Sequence, residues 1–276
     1  MTQAGAEDAM PGHRACGEYR DFAVALAQSA SRAILRAQRR GFEVDIKPDG
    51  SCVTDVDLRV ERMLRRAIER RFPGHAVVGE EFPASGVSDF TWIIDPIDGT
   101  DNFVRGIPTF GTLIALYHRR RPLAGVLAHP ALKRFYAAAA GQGVFVNGQP
   151  LTRVEPDPRM APMILTTAPE NFAKRGLLDR FCAIQRQFGN TRIYRDCFAH
   201  SRVIEGAAGV MVDANVRLWD IAATRVLVEA SGGRFVETNQ WRAPDGAEYH
   251  TCVFGRAELV ERLCALMLAP SSDGSP

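Results

Sequence analysis

The stretch Trp92-Ile-Ile-Asp95-Pro96-Ile97-Asp98-Gly99-Thr100-Asp101-Asn102-Phe103 constrains this chain more than any other. Thr91 to Ile94 is apolar and β-branched, the pattern of a short buried strand. Pro96 removes a backbone donor and holds Asp95 extended, so the strand is predicted to stop there with the Asp95 carboxylate at its end. Asp98 follows three residues later. Gly99-Thr100 then reads as the turn into a short helix, whose first NH groups make a ready anion site. Two carboxylates on one tight corner repel each other unless a cation lies between them, and oxygen-rich clusters suit hard divalent ions such as Mg²⁺. Metal and anion side by side suggest phosphate chemistry. Spacing alone also fits an ordinary Asx-capped turn.

The rest of the chain alternates between helical and extended patterns. Apolar residues at Phe22, Ala23, Leu26, Ala27, Ala30, Ile34 and Leu35 predict a helix over 19–38. A strand at 44–47, the turn Pro48-Asp49-Gly50 and a second helix after Val53-Thr54-Asp55-Val56-Asp57 follow. Ala76-Val-Val78 is a short strand ending at Gly79-Glu80-Glu81. Residues 111–117 and 122–127 form a hairpin about the turn Arg119-Arg-Arg121, and further strands lie near 134–139 and 143–148. From Met163 onward, strands and helices alternate. A helix is expected over 169–187, a strand near 192–194, a helix near 198–205 and a strand at 210–212. A helix over 219–231 comes next, closed by Gly232-Gly233; late strands at 234–237 and 252–254 and a final helix at 257–268 complete the pattern. The predicted division is a disordered lead over 1–18, an α+β domain over 19–155, an α/β domain over 156–268 and a disordered tail over 269–276.

The chain has 276 residues, with 34 basic and 32 acidic side chains and a net charge of +2. So even a balance argues against nucleic-acid or membrane-surface binding. The six cysteines show no CxxC or zinc spacing, and with no secretory segment at the N-terminus they imply reduced thiols in a cytoplasmic protein.

Asp57 at a helix entrance, Glu80 at a strand end, the Asp95–Asp98 corner and Asp220 at a helix start are where an α/β scaffold presents ligands at one rim. Singly, each has a bland explanation as a cap or a solvated acid. Together they form a pattern. In Asp95-Pro-Ile-Asp98-Gly-Thr100, in Trp219-Asp220-Ile-Ala-Ala223 running to Glu229-Ala-Ser-Gly-Gly233, and in the shorter blocks at 79–81 and 53–57, the chain resembles the inositol monophosphatase superfamily of Mg²⁺-dependent, lithium-sensitive phosphatases. The resemblance covers roughly residues 19–268. It implies a mixed α+β and α/β fold, layered as an αβαβα sandwich.

By that resemblance Glu80, Asp95 and the carbonyl of Ile97 hold one Mg²⁺. Asp95, Asp98 and Asp220 hold a second, and Asp57 reaches a third. Thr100 and Glu80 orient a metal-bound water for direct attack, while the amides of Gly99 and Thr100 receive the phosphate. Lys47 stands where the family has a lysine near the third ion. A small-molecule phosphate substrate and a homodimer are implied as partners. Gly111-Thr-Leu-Ile114 and Asp196-Cys-Phe198 look like the histidinol-phosphatase branch. An ammonium-bearing substrate calls for anionic partners, and Asp196 and Asp213 are the candidates. Asp101 departs from the family pattern by placing a negative charge near the phosphate, which Arg105 could offset. Arg192, Arg195 and Arg217 make the substrate side more basic than histidinol requires. Inositol 1-phosphate, fructose 1,6-bisphosphate and an adenosine bisphosphate therefore remain alternatives. His200 reads as a packed or solvated histidine within reach of substrate.

Overall fold

The computed structural model describes residues 11–269. In chain order the elements are α1 (His13–Arg40), β1 (Val44–Ile46), β2 (Cys52–Thr54), α2 (Asp55–Arg71), β3 (Ala76–Gly79), β4 (Phe90–Asp98), α3 (Thr100–Val104), β5 (Gly111–His118) and β6 (Arg121–His129). They continue with β7 (Arg134–Ala139), β8 (Val144–Val146), β9 (Gln149–Pro150), β10 (Ile164–Thr166), α4 (Pro169–Ala173), α5 (Leu178–Gln187), β11 (Thr191–Ile193), α6 (Asp196–Ile204) and β12 (Val210–Val216). The chain closes with α7 (Leu218–Ala230), β13 (Arg234–Arg242), β14 (Glu248–Gly255) and α8 (Ala257–Leu268).

A seven-stranded sheet runs in the order β3-β4-β5-β6-β7-β8-β9, parallel only between β3 and β4. A five-stranded sheet runs β11-β10-β12-β14-β13 and mixes parallel with antiparallel pairs. Because successive strand residues face opposite sides, each buried strand feeds two layers. Trp92, Ile94, Ile114 and Leu116 pack against α1 and α2 through Ala27, Ile34, Leu64 and Ile68. Ile93, Leu113 and Leu127 from the first sheet meet Met211, Cys252 and Phe254 from the second across Ile221, Val226 and Ala199. Beyond the second sheet, Val210, Val212 and Val253 pack on Phe172, Ile184 and Leu263 of α4, α5 and α8. The layers are αβαβα, as expected, and the middle one, holding α6 and α7, comes from the second half of the chain and packs against both sheets.

Four expectations are corrected. Strand β4 does not stop at Ile94 but runs to Asp98, because its register with β5 shifts between Asp95 and Asp98 and the ladder there does not need the missing donor of Pro96. Helix α1 starts at His13, inside the segment expected to be disordered, because Cys16 and Gly17 continue its buried stripe. Residues 1–10 and 270–276 lie outside the described residues. The helix expected over 169–187 is two, separated at Gly176, whose φ of 67° cannot continue a right-handed turn. The late strands β13 and β14 are longer than their apolar cores. Among the described residues, no helix is long and apolar enough to cross a membrane.

Helix α7 lies hard against the first sheet at Gly125 of β6. A Cβ there would sit 2.8 Å from Val226 Cβ and 3.0 Å from the Ala223 carbonyl oxygen. Gly125→Ala is therefore expected to push α7 off the sheet and lower stability by about 1–3 kcal/mol in urea denaturation.

Candidate active site

The site is assembled from the beginnings of helices and the ends of strands. Asp57 and Asp220 are each the third residue of their helix, α2 and α7. Each carboxylate turns back to accept from the amide just before the helix, Thr54 N at 2.8 Å and Arg217 N at 2.7 Å. Both acids are thus fixed by capping contacts and favoured by the positive end of the helix. Asp98 ends β4 and accepts from the Cys197 amide in the first turn of α6. In a regular strand, residues three apart point to opposite faces. The shift in β4 cancels that alternation and brings Asp95 and Asp98 to the same place. Gly99 follows at φ 77°, the left-handed geometry that lets the chain leave the strand directly into α3.

Asp95, Asp98 and Asp220 each contribute an oxygen to a group whose members all lie within 4.8 Å of one another. At that separation, two unit charges repel by about 3.5 kcal/mol at an effective dielectric near 20. Three such pairs reach roughly 10 kcal/mol, comparable to the whole stability of a domain. Asp95 is 1% exposed, and its Oδ1 is buried with no hydrogen-bond partner. Burial first, then Glu80, Asp98, Asp220 and Asp57, hold its carboxyl well above the usual range. Asp98 and Asp220 are raised by burial as well, and Glu80 and Asp98 add to it at Asp220. An unpartnered oxygen among buried acids, with only oxygen donors around it, fits a hard divalent cation. These residues line a cavity of about 410 Å³, together with Glu80, Ile97, Gly99, Thr100, Asp101, Asn102, Arg195, Asp196 and the 50–52 loop.

The remaining predicted residues are placed unequally. Glu80 sits on the cavity wall, and Lys47 reaches it at 2.7 Å and Glu81 at 2.8 Å. Burial works against the Lys47 charge, but the two carboxylates outweigh it and raise its pKa. The Thr100 hydroxyl is shared between the Ile97 carbonyl at 2.9 Å and Asp57 at 3.2 Å. Asp57 itself is fully buried behind it. Asp196 lies on the wall, where Asn102 donates to it at 3.0 Å. Burial and the nearby Asp98 push its pKa up to about 7. Arg195 is at the mouth and pairs loosely with Glu170 at 3.6 Å. Asp101 pairs with Arg105 at 2.9 Å, so that offset is made.

Three candidates are elsewhere. Asp213 faces the interior of the middle layer, 2.8 Å from His200 Nε2, because β12 turns it toward α6 rather than the cavity. Arg192 is exposed on the edge strand β11 and donates to its neighbour's carbonyl. Arg217 stacks over Trp219 and Tyr249, with ring centroids 4.6 and 4.8 Å away. Sequence reasoning missed Asn102 and Glu61. Glu61 is fully buried and accepts from the amides of Glu81 and Phe82, so it holds the loop that carries Glu80. An acid beside Val60 and Leu64 on a buried helix face was the available signal.

With this geometry in place, the match to known proteins is decisive. A sequence model of the inositol monophosphatase family matches residues 17–265. The chain belongs to the inositol monophosphatase family. Relatives within it include a histidinol-phosphatase of Mycobacterium tuberculosis, 36% identical over 235 residues, which span 82% of this chain and 89% of that protein. Inositol monophosphatase 1 of Rattus norvegicus is 32% identical over 233 residues, 78% of this chain and 82% of that one. Among solved structures, the extragenic suppressor protein suhB from Bartonella henselae superposes with a TM-score of 0.78 at 23% identity, over 91% of this chain and 99% of that one. The last likeness concerns the fold.

The raised carboxyls give a linkage prediction. Acids whose folded pKa lies above the unfolded value favour the metal-free fold below about pH 4 and withdraw that stability as pH rises through the raised values, which reach about 7 at Asp196. A divalent cation relieves the repulsion only when the acids are ionised. The rise in Tm on adding Mg²⁺ is therefore expected to grow between pH 5 and pH 8 in thermal scans (an order-of-magnitude window); a rise independent of pH would contradict the assignment.

Proposed function

We propose that the protein hydrolyses histidinol phosphate to histidinol and phosphate by direct attack of water, with Mg²⁺ held by its buried acids. The observation that carries the chemistry is the unpartnered Asp95 Oδ1 at the centre of the Asp95–Asp98–Asp220 group. Asp95 would serve two ions, one with Glu80 and the Ile97 carbonyl and one with Asp98 and Asp220. When bound, such ions supply Lewis-acid charge to the phosphoryl oxygens and make water a better nucleophile at neutral pH. The chain's own groups then orient the reaction. Glu80 and the Thr100 hydroxyl position the attacking water, with Asp57 holding Thr100 from behind. The amides of Gly99 and Thr100 cradle the phosphate at the start of α3.

The choice of ester rests on a further acid on the cavity wall and on the histidinol-phosphatase relative. Asp196 lies outside the metal set, yet it lines the cavity and is held in place by Asn102. A carboxylate so placed suits the ammonium of histidinol phosphate. An inositol phosphate offers only hydroxyls.

Asp98→Asn and Asp220→Asn are each expected to lower kcat/KM by about a hundredfold or more, at least the upper end of what losing an outer partner of a metal site does. Circular dichroism should stay unchanged. The substrate is tested by phosphate release from histidinol phosphate, inositol 1-phosphate and fructose 1,6-bisphosphate. A clear kcat/KM preference for histidinol phosphate is expected, and Asp196→Asn should erode it mainly through KM. A preference for inositol 1-phosphate would overturn the substrate, and activity surviving thorough EDTA treatment would overturn the metal.

A further inference from the structure

His200 is 1% exposed and packed in the middle layer; its ring bonds α7, which carries Asp220, and it sits on α6, whose first turn caps Asp98. Its Nε2 is 2.8 Å from Asp213 Oδ2 on β12. The carboxylate can only accept, so that nitrogen carries the proton. Its Nδ1 is 2.8 Å from the Thr224 hydroxyl on α7. The ring meets Phe254 of β14 edge to face at 5.1 Å between centroids.

What hangs on these contacts follows from helical spacing. Cys197 precedes His200 by three residues on α6, and its amide donates to Asp98 Oδ2. Asp220 precedes Thr224 by four on α7. Residues three or four apart share a helix face. The face of α6 that His200 ties down therefore caps Asp98, and the face of α7 that it grips presents Asp220. We propose that His200, clamped by Asp213 and Thr224, is a positioning residue that sets the separation of Asp98 and Asp220, and with it the affinity of the acid cluster for a divalent cation. Asp213 acts through the imidazole and is not among the residues that line the cavity.

The inference rests on the acids binding a cation, and direct binding measurements separate the two. Calorimetry of Mn²⁺ binding to the wild type tests that reading first; no binding would remove it. The double variant His200→Phe/Asp213→Leu removes the imidazole nitrogens and the carboxylate together, so no unpaired buried charge remains. It is expected to stay folded by circular dichroism and to bind Mn²⁺ about tenfold or more weakly, the effect of losing an outer partner of a metal site. The Mg²⁺ concentration for half-maximal activity should rise in parallel, with KM at saturating Mg²⁺ unchanged. Asp213→Asn keeps an acceptor for Nε2–H and should hold Mn²⁺ affinity within about threefold, below the range for losing a partner outright. If the double variant does not fold, His200→Gln carries the test and should give an intermediate loss. Unchanged Mn²⁺ affinity in the folded variant would overturn the proposal. So would an Asp213→Asn loss as large as the double variant's, or a rise in KM at saturating Mg²⁺ with metal affinity intact.

Discussion

Asp95 holds a carboxylate oxygen that is buried and bonded to nothing, and the architecture converges on that atom. A lone buried acid would relieve its situation by taking up a proton. This one is hemmed in by Glu80, Asp98, Asp220 and Asp57, whose charges add to the effect of burial. The repulsion within the Asp95–Asp98–Asp220 group alone is of the order of a domain's stability. Burial and the neighbouring acids hold these carboxyls above their usual range, so protonation relieves the repulsion in the metal-free fold, and a cation would relieve it once the acids are ionised. Lys47 supplies a partial answer at the Glu80 edge, and the centre of the cluster has no cationic side chain bonded to it among the described residues.

The scaffold manages this by bringing helix beginnings to one rim. The first turns of α2, α6, α7 and α3 all face the cluster, and in the first three a backbone amide bonds Asp57, Asp98 or Asp220 directly. Each such amide fixes one oxygen and favours negative charge. Because α6 and α7 are packed between the two sheets, the positions of Asp98 and Asp220 depend on the middle core. The close approach of α7 to Gly125 and the His200 clamp are two points at which that core sets the site.

Much of this was legible in the chain. Strand and helix periodicities located most elements, and the four motif blocks carried the family, the layered fold and the acids that the structure brings together. What was not legible depended on the third dimension. The run of β4 through Pro96 requires knowing that its partner strand shifts register there. Gly176 interrupts a sequence that is helical by composition on both sides. Asp213 and Asp196 are the same residue type, and both were candidates for the substrate ammonium. One faces a histidine inside the middle layer and the other the cavity, and only the pairing of β12 with β10 and β14 decides which. His200 lacked any local signal, since its partners lie thirteen residues away on a strand and twenty-four away on a helix.

The most direct test of the central claim is anomalous diffraction from crystals of the protein grown with Mn²⁺. An anomalous peak within bonding distance of Asp95 Oδ1, shared with Asp98 and Asp220, is the predicted result. Well-ordered crystals with no peak there, or with manganese bound only elsewhere, would contradict it.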